Sequence, residues 1–191
     1  MKFTILSCSL RENSRSQRLA EQADGLLRSY GHVSEIFEAK KYPLEPFDDL
    51  KVYGGQNFEA LYNAIKCADG VFIAAPVYNW SLGSVAKNII EATGATGAGG
   101  RQSAWFDQVV TFLCSGGLPH SYMAYGNLAL SLMLDFKCVV NPYVVYSTDR
   151  DWDSEGKLSE NLTARLRKTV EVKIELSHAL RDRRYSSGWE V

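Results

Sequence analysis

The sequence predicts an α/β protein in which a five-stranded parallel sheet of strand order 2-1-3-4-5 forms the middle layer of a three-layer sandwich. Two patterns lead to this prediction. Short apolar segments alternate with amphipathic helical segments along the chain, as in consecutive βαβ units with right-handed crossovers. The third apolar segment, residues 71–75, is apolar without interruption, which is typical of a parallel strand covered on both faces. A chain of 191 residues has the size of one domain.

The first half of the chain carries the first three predicted strands. We expect the third strand to end at Pro76, because proline has no amide hydrogen for the strand ladder. Either Ser81 or Ser84 is suited to begin the helix after it, since a serine hydroxyl can accept from a free amide at a helix start. The predicted elements are strands at 3–8, 33–37 and 71–75 and helices at 14–29 and 58–67.

The second half supplies the last two strands. Pro142 interrupts the fifth strand, which therefore belongs at an edge of the sheet. The glycine-rich stretch 94–100 follows a helix and precedes a strand, so we expect it at the amino edge of the sheet. One domain is expected over residues 1–184, with a mobile tail at 185–191. The predicted elements are strands at 109–114 and 138–145, a helix at 122–134 and a long helix after residue 157.

Composition excludes several classes of protein. The net charge is −1 and no basic block occurs, which argues against a nucleic-acid-binding or membrane-surface protein. The apolar runs are shorter than the ~20 residues that a transmembrane helix needs. The four cysteines are widely spaced, without the pairs typical of zinc sites or disulfide frameworks. We therefore expect reduced thiols and a cytoplasmic location.

The loop after the first strand favours one of two competing strand orders. The glycine fingerprint of the dinucleotide-binding Rossmann order is absent there, and hydroxyl groups and an arginine take its place, which favours the flavodoxin-like order 2-1-3-4-5. Hydroxyls, a guanidinium and the amides of a helix start are the donors that a phosphate monoester needs. A capped surface helix with an incidental serine cluster explains the same residues. The candidates are Ser9, Arg11, Ser14, Ser16 and Gln17.

Two further loops follow the third and fourth strands, at the same edge of the predicted sheet. Tyr78, Asn79 and Trp80 can stack on a flat ring and bind its polar edge. Ser115, Gly116 and Gly117 let the main chain approach a ligand closely, although a tight turn requires the same residues. Ligands of open parallel sheets bind beyond the carboxyl ends of the strands, so these loops together predict one binding site. His120 is a weaker candidate for contact with a substrate, since a lone histidine near a helix start more often caps the helix.

Together, the three loops resemble those of the NAD(P)H-dependent FMN reductase family of the flavodoxin-like superfamily. The matching stretches are CSLRENSRSQRLA, APVYNWSLGSVAKNIIE and CSGG, in the family's order and spacing, and the resemblance covers roughly residues 1–145. Two departures from the family pattern are Cys8, in place of a glycine, and Gly83-Ser84, in place of a Pro-Gly pair. The resemblance assigns the first loop to the FMN phosphate. It assigns Pro76, Val77, Tyr78, Asn79 and Trp80 to the flavin ring and Ser115, Gly116 and Gly117 to the ring or ribityl chain.

The resemblance implies an FMN-dependent oxidoreductase. Hydride passes from NADPH or NADH to bound FMN, and electrons then pass to a quinone, free flavin, azo compound or metal ion, without a catalytic protein side chain. A flavodoxin-type electron carrier is the first alternative, although carriers of that type are strongly acidic and this chain is nearly neutral. A flavin-free scaffold or regulatory member is the second. A homodimer or homotetramer through the helices after strands three and four is also expected, because the later helix is apolar around most of its girth.

Overall fold

A computed structural model describes residues 1–94 and 101–189 of the chain. Its strands are β1 (Lys2–Ser7), β2 (Val33–Glu38), β3 (Gly70–Tyr78), β4 (Ser81–Leu82), β5 (Val109–Ser115), β6 (Val139–Val140) and β7 (Val145–Ser147). Its α-helices are α1 (Arg15–Ser29), α2 (Gln56–Lys66), α3 (Ser84–Gly94), α4 (Gly126–Phe136) and α5 (Glu160–Arg181).

The strand order confirms the predicted flavodoxin-like sheet. β2, β1, β3 and β5 are parallel neighbours in that order, and β6 and β7 pair one after the other with the outer side of β5. The predicted fifth strand is thus divided in two around Pro142, and it lies at the edge of the sheet as expected. β4 is an addition: it is a two-residue antiparallel strand that pairs with the end of β3.

The prediction that the third strand ends at Pro76 is wrong, because β3 continues to Tyr78 and Pro76 pairs in register with Ser115. The carbonyl of Ala74 accepts from the amide of Cys8, so Ala74 faces β1. Strand residues alternate in direction, and Pro76 therefore faces the same side, beyond the last pair of β1 with β3. The missing amide hydrogen of Pro76 therefore has no partner in β1 to lose, and its carbonyl accepts from the amide of Gly83 at 2.9 Å.

Helices cover both faces of the sheet and form two apolar cores. α1 and α5 pack on one face, against the strand residues Phe3, Ile5 and Phe72. α2, α3 and α4 pack on the other face, against strand residues that include Ile73 and Phe112. The helical contributions to this second core include Phe58, Leu61, Tyr62, Ile65, Ile89, Ile90, Leu128, Leu132 and Phe136. The central strands are buried on both faces, which is why 71–75 carries no polar residue.

A lysine interrupts the apolar face of α5. Lys173 is fully buried and its Nζ donates to the carbonyl oxygens of Val71, at 3.0 Å, and Val109. The Nζ atom also lies 5.2 Å from the centre of the Phe72 ring. Lys173 therefore ties α5 to the amino ends of both β3 and β5.

The C-terminal residues contact the amino edge of the sheet. The amide and hydroxyl of Ser187 donate to the two carboxylate oxygens of Asp107, at 2.8 and 2.6 Å. The Trp189 ring meets Phe106 and Phe136 edge-on. The domain limits 1–184 and the mobility of 185–191 stay predictions. Apart from Gly94, the glycine-rich connection lies outside the described residues. Within the described ranges, no helix has both the length and the apolar character needed to cross a membrane.

Candidate functional site

The loops after β1 and β5 and the last residues of β3 meet at the carboxyl edge of the sheet around a cavity of about 510 Å³. These three strands are adjacent at the centre of the sheet. Nine of the thirteen predicted site residues line this cavity. They are Arg11, Ser14, Ser16, Pro76, Val77, Tyr78, Ser115, Gly116 and Gly117. The expectation that the loops converge is confirmed, while their assignment to a ligand stays a prediction.

The loop after β1 presents a guanidinium and two hydroxyls at one end of the cavity. Ser9 is buried, and its Oγ accepts from the amide of Arg11 at 3.2 Å, which turns the chain towards the start of α1. The hydroxyls of Ser14 and Ser16 lie 2.9 Å apart. Within residues 1–94 and 101–189, the Arg11 side chain forms no ion pair. Its charge is therefore available to a ligand.

Gln17 belongs to the same loop but does not line the cavity. Its Oε1 accepts from the hydroxyl of Ser7, and its Nε2 donates to Glu21 at 3.1 Å. Both polar groups of this side chain are therefore bound by neighbouring residues. Ser9 and Gln17 stabilise the loop without lining the cavity, whereas Arg11, Ser14 and Ser16 line it.

β3 and β4 form a tight hairpin beside the cavity. Its two turn residues, Asn79 and Trp80, both have left-handed backbones, with φ of 48° and 63°. Two such residues in succession match the twist of a two-residue hairpin, but a left-handed backbone is unfavourable for a bulky residue such as tryptophan. Strained conformations of this kind concentrate at functional sites. Neither turn residue lines the cavity, whereas Tyr78 does so and leaves half of its surface exposed.

The exposed Trp80 ring bridges two loops. It stacks on His120 with the ring centres 5.2 Å apart and the planes tilted by 35°. His120 lies in a short 3₁₀ turn, Pro119–Ser121, that follows the glycine loop after β5. The aromatic pair thus joins the β3–β4 hairpin to the glycine loop at the rim of the cavity.

A tyrosine from β7 supports the glycine loop. The Tyr146 hydroxyl donates to the carbonyl of Leu118 at 2.6 Å and lies 2.8 Å from Ser121 Oγ. A side chain at Gly116 would overlap this hydroxyl, whereas Gly117 has no atom within 4 Å of the position that a Cβ would take. Glycine is therefore required at Gly116 by close contact, and Gly117 exposes its main chain to the cavity. The sequence did not point to Tyr146, because its role depends on the pairing of β7 with β5.

Four lining residues were not predicted: Glu12, Asn13, Arg15 and Asp149. Glu12 pairs with Lys40, with Nζ and Oε2 3.0 Å apart. Asn13 has a left-handed backbone, with φ of 51°, in the turn that precedes α1. Arg15 forms an ion pair with Asp149. The position of Arg15 between two serines could have identified it, but Asp149 lies 134 residues further along the chain and only the topology brings it here.

The two cysteines nearest the site point into the core. Burial raises the pKa of the Cys8 thiol to about 12 and raises the pKa of Cys114 even further. The Cys8 thiol packs in the core on the α2 side of the sheet, and its Sγ lies 3.7 Å from the carbonyl of Leu6. This departure from the family's glycine therefore adds no side chain to the cavity. Among the described residues, no cluster of His, Cys, Asp or Glu is arranged to hold a metal ion.

A second, larger cavity of about 710 Å³ lies between the segment after β2 and helix α3. Its charged residues Lys87 and Glu91 pair with each other at 3.0 Å. Asn88 is also occupied, because its amide donates to the carbonyl of Glu45 and accepts from the amide of Phe47. The lining is otherwise mostly apolar, so the described residues give this cavity no unpaired cation for a phosphate.

Comparison with known proteins identifies relatives of the chain. The family described as NADPH-dependent FMN reductase matches residues 1–153. An FMN reductase (NADPH) of Pseudomonas aeruginosa is 26% identical over 113 residues, which cover 59% of this chain and 57% of that protein. The NADH-dependent FMN reductase SfnF of Pseudomonas fluorescens is 29% identical over 113 residues, with the same coverage. The match therefore spans little more than half of the length of these relatives.

A solved structure extends the likeness in fold to nearly the whole chain. FerB, a flavoenzyme NAD(P)H:(acceptor) oxidoreductase from Paracoccus denitrificans, superposes with a TM-score of 0.75. The match covers 93% of this chain and 97% of FerB, at 20% sequence identity. The two chains share a fold.

Proposed function

Because the chain belongs to the NADPH-dependent FMN reductase family, we propose that it is an oxidoreductase that binds FMN in the cavity at the carboxyl edge of the sheet. Hydride is taken from NADPH or NADH, and the acceptor is a small molecule such as a quinone, free flavin, azo compound or metal ion. The observation that carries the proposal is the convergence of a phosphate-type donor set, the end of β3 and a glycine loop on one cavity.

The donor set fits a phosphate monoester. Arg11 supplies a guanidinium without an ion-pair partner among the described residues, and the Ser14 and Ser16 hydroxyls lie together beside it. A guanidinium binds phosphate oxygens in fork geometry. Helix α1 begins at the same place, so its free amides and its dipole also favour an anion. Arg11, Ser14 and Ser16 would therefore hold the phosphate.

The rest of the cavity fits a flat ring system. Its volume lies within the range of about 300–1,000 Å³ that is usual for small-molecule sites. Pro76, Val77 and Tyr78 supply main chain and an aromatic ring, and Gly117 leaves room for a ligand to approach the main chain closely. When bound, FMN would supply the redox chemistry, so the chain is required to bind, orient and partly cover it. Trp80 and His120 form the rim beside which a second reactant would enter.

We also propose a homodimer or homotetramer that forms through α4. Leu130, Met133 and Leu134 on this helix are 46–71% exposed, and Tyr122 and Met123 just before it are similarly exposed. An apolar surface of this kind on a folded chain indicates a contact with another protein surface. Residues Ile89, Ile90 and Ala92 of α3 are buried in the chain's own core, so the support comes from α4. A cytoplasmic location stays a prediction, and the unpaired cysteines support it.

The visible absorption spectrum of the purified protein tests the proposal. We expect FMN to bind and its absorption to bleach when NADPH or NADH is added without oxygen. Bound flavin that does not bleach would favour an electron carrier, and absence of binding after incubation with FMN would favour a flavin-free scaffold or regulator. Either result contradicts the proposed enzyme.

The phosphate assignment is tested with Arg11→Ala and a matched control. We expect Arg11→Ala to weaken FMN binding by about ten- to a hundredfold, since a hydrogen bond to a charged group contributes about 1.5–3 kcal/mol. Riboflavin, which has no phosphate, should bind equally well to both proteins. Arg18→Ala serves as the control, because Arg18 lies on the same helix but packs against Gly156 outside the cavity. Unchanged FMN affinity in Arg11→Ala would contradict the assignment of this loop.

A further inference from the structure

We propose that Asp149 competes with the flavin phosphate for Arg15 and thereby lowers the affinity of the site for FMN, so that FMN exchanges instead of being held permanently. This inference rests on the proposed function, and it concerns residues that the family resemblance did not assign. It begins from the ion pair between Arg15 on α1 and Asp149 in the segment after β7, both of which line the cavity.

The position of Arg15 makes it a second phosphate ligand. It is the first residue of α1 and stands between Ser14 and Ser16, whose hydroxyls lie 2.9 Å apart. Its guanidinium can bind a phosphate in fork geometry through two N–H donors, and one of its two outer nitrogens, Nη1, donates to Asp149. The side chain is 40% exposed, so it is not confined by packing. Arg15 can therefore rotate from Asp149 to an anion that enters beside the two serines.

The position of Asp149 makes it a carboxylate within an anion site. The main chain around it is held by the next turn, because the amide and hydroxyl of Thr148 both donate to Asp151 at 2.7 Å. The Asp149 side chain itself is 66% exposed and reaches the cavity. The turn thus presents the carboxylate to Arg15 at the cavity.

The charges of the cavity lining cancel. Arg11 and Arg15 contribute two positive charges, and Glu12 and Asp149 contribute two negative ones. Glu12 is neutralised from outside by Lys40, at 3.0 Å, whereas the only recorded partner of Asp149 among the described residues is Arg15. A phosphate that binds next to Arg15 therefore separates this pair and leaves a carboxylate beside a second anion. Removal of the Asp149 charge removes both the competing ion pair and the repulsion between the two anions. Each change should tighten the binding of FMN.

Arg15 can exchange Asp149 for a phosphate at a small cost in free energy, because the ion pair is exposed. Ion pairs at the surface contribute little, about 0–1 kcal/mol. A guanidinium binds phosphate more strongly than this when several charge-assisted hydrogen bonds form. The phosphate therefore displaces Asp149 from Arg15. The affinity for FMN is nevertheless lower than Arg11, Arg15 and the two serines would give without the carboxylate.

The test compares FMN and riboflavin binding to the full chain and to Asp149→Asn, by quenching of flavin fluorescence. We expect Asp149→Asn to bind FMN about three- to tenfold more tightly, from loss of the competing pair and of charge repulsion. Riboflavin affinity should not change. Glu155→Gln is the matched control, because it removes one negative charge from an exposed residue of the same segment outside this cavity, and its effect should stay below about twofold.

A double-mutant cycle assigns the effect to Arg15. In the Arg15→Gln background, Asp149→Asn should change FMN affinity by less than half as much as in the wild-type chain, since the competition is already absent. Weaker or unchanged FMN binding in Asp149→Asn, or an equal gain for riboflavin, would overturn the proposal. Weaker binding would instead assign Asp149 to orienting Arg15 or to binding the ribityl hydroxyls.

Titration with inorganic phosphate, followed by NMR shifts of the 11–16 amides, separates this proposal from the proposed function. If FMN binds but Asp149→Asn has no effect with either ligand, the competition is absent and the function stands. If FMN fails to bind while Asp149→Asn still tightens phosphate binding, the competition stands and the proposed function fails.

Discussion

Replacement of Lys173 by methionine tests whether a buried amine is neutral in the folded protein. Lys173 has no exposed surface, and its Nζ donates to the carbonyls of Val71 and Val109. Burial lowers the pKa of this amine well below its ordinary value, because the protein interior solvates a charge poorly. A neutral amine has two N–H donors, which is the number that the two carbonyls require.

The direction in which the free energy of unfolding changes with pH follows from the number of protons that the folded and unfolded states bind. Between the lowered pKa of the folded state and about 10.4 in the unfolded chain, the unfolded state binds one proton more at Lys173. The free energy of unfolding therefore rises with pH in this interval, by up to about 1.4 kcal/mol per pH unit. From pH 6 to pH 8 the gain amounts to at most about 3 kcal/mol. The buried thiols contribute little there, because most thiols are still protonated in the unfolded chain at pH 8, and they contribute equally to the wild type and to a variant at Lys173.

In Lys173→Met, the free energy of unfolding should lose this dependence on pH. Lys173→Met leaves two buried carbonyls without their lysine donor, so we expect it to be less stable than the wild type at pH 8 by about 1–3 kcal/mol. This difference in the free energy of unfolding should shrink towards pH 6, because the contribution of Lys173 to the stability of the wild type decreases as the pH falls. Urea unfolding at pH 6, 7 and 8, followed by circular dichroism, measures this, and Lys168→Met on the exposed side of the same helix is the control. Parallel pH profiles for wild type and Lys173→Met would refute a neutral buried amine.

Three further predictions concern the glycine loop, the thiols and α4. Gly116→Ala should destabilise the fold by about 1–3 kcal/mol and weaken FMN binding, because the new methyl group overlaps the Tyr146 hydroxyl. Gly117→Ala should leave the stability within about 0.5 kcal/mol of the wild type, because no described atom lies near its Cβ position. Equal melting temperatures for the two variants would contradict the close contact. A thiol reagent at pH 8 should modify Cys67 rapidly and the three buried cysteines slowly, as mass spectrometry of the native protein can show. Leu134→Asp should lower the molar mass in light scattering to that of one chain, since it places a charge on the exposed apolar side of α4; an unchanged mass would exclude this surface as the contact.

The sheet and the three convergent loops were predictable because both follow from patterns that burial imposes. A strand covered on both faces must be apolar along its length, and parallel strands must end at one edge. The loops after β1, β3 and β5 therefore had to meet wherever their strands were placed side by side. Nine of the predicted residues line the cavity for this reason.

The features that escaped prediction depend on exceptions or on distant parts of the chain. Lys173 occupies an apolar face, although lysine is almost never fully buried. Pro76 remains within β3 because its ring faces the side where β1 has already ended, which only the register of the sheet reveals. Asp149 and Tyr146 reach the site through the position of β7, and the short β7 carried a weaker signal than the central strands.

The contribution of β7 has a consequence for the order in which the site can form during protein synthesis. The residues of the first three loops leave the ribosome early, by Ser121, yet the glycine loop requires the Tyr146 hydroxyl and the main chain of Ser147. A nascent chain that ends before these residues has the phosphate donors of its first loop but lacks the support for the glycine loop. Domains fold as units during synthesis. We therefore expect the chain to capture its ligand only after the last strand has emerged, so that ligand capture marks a completed sheet.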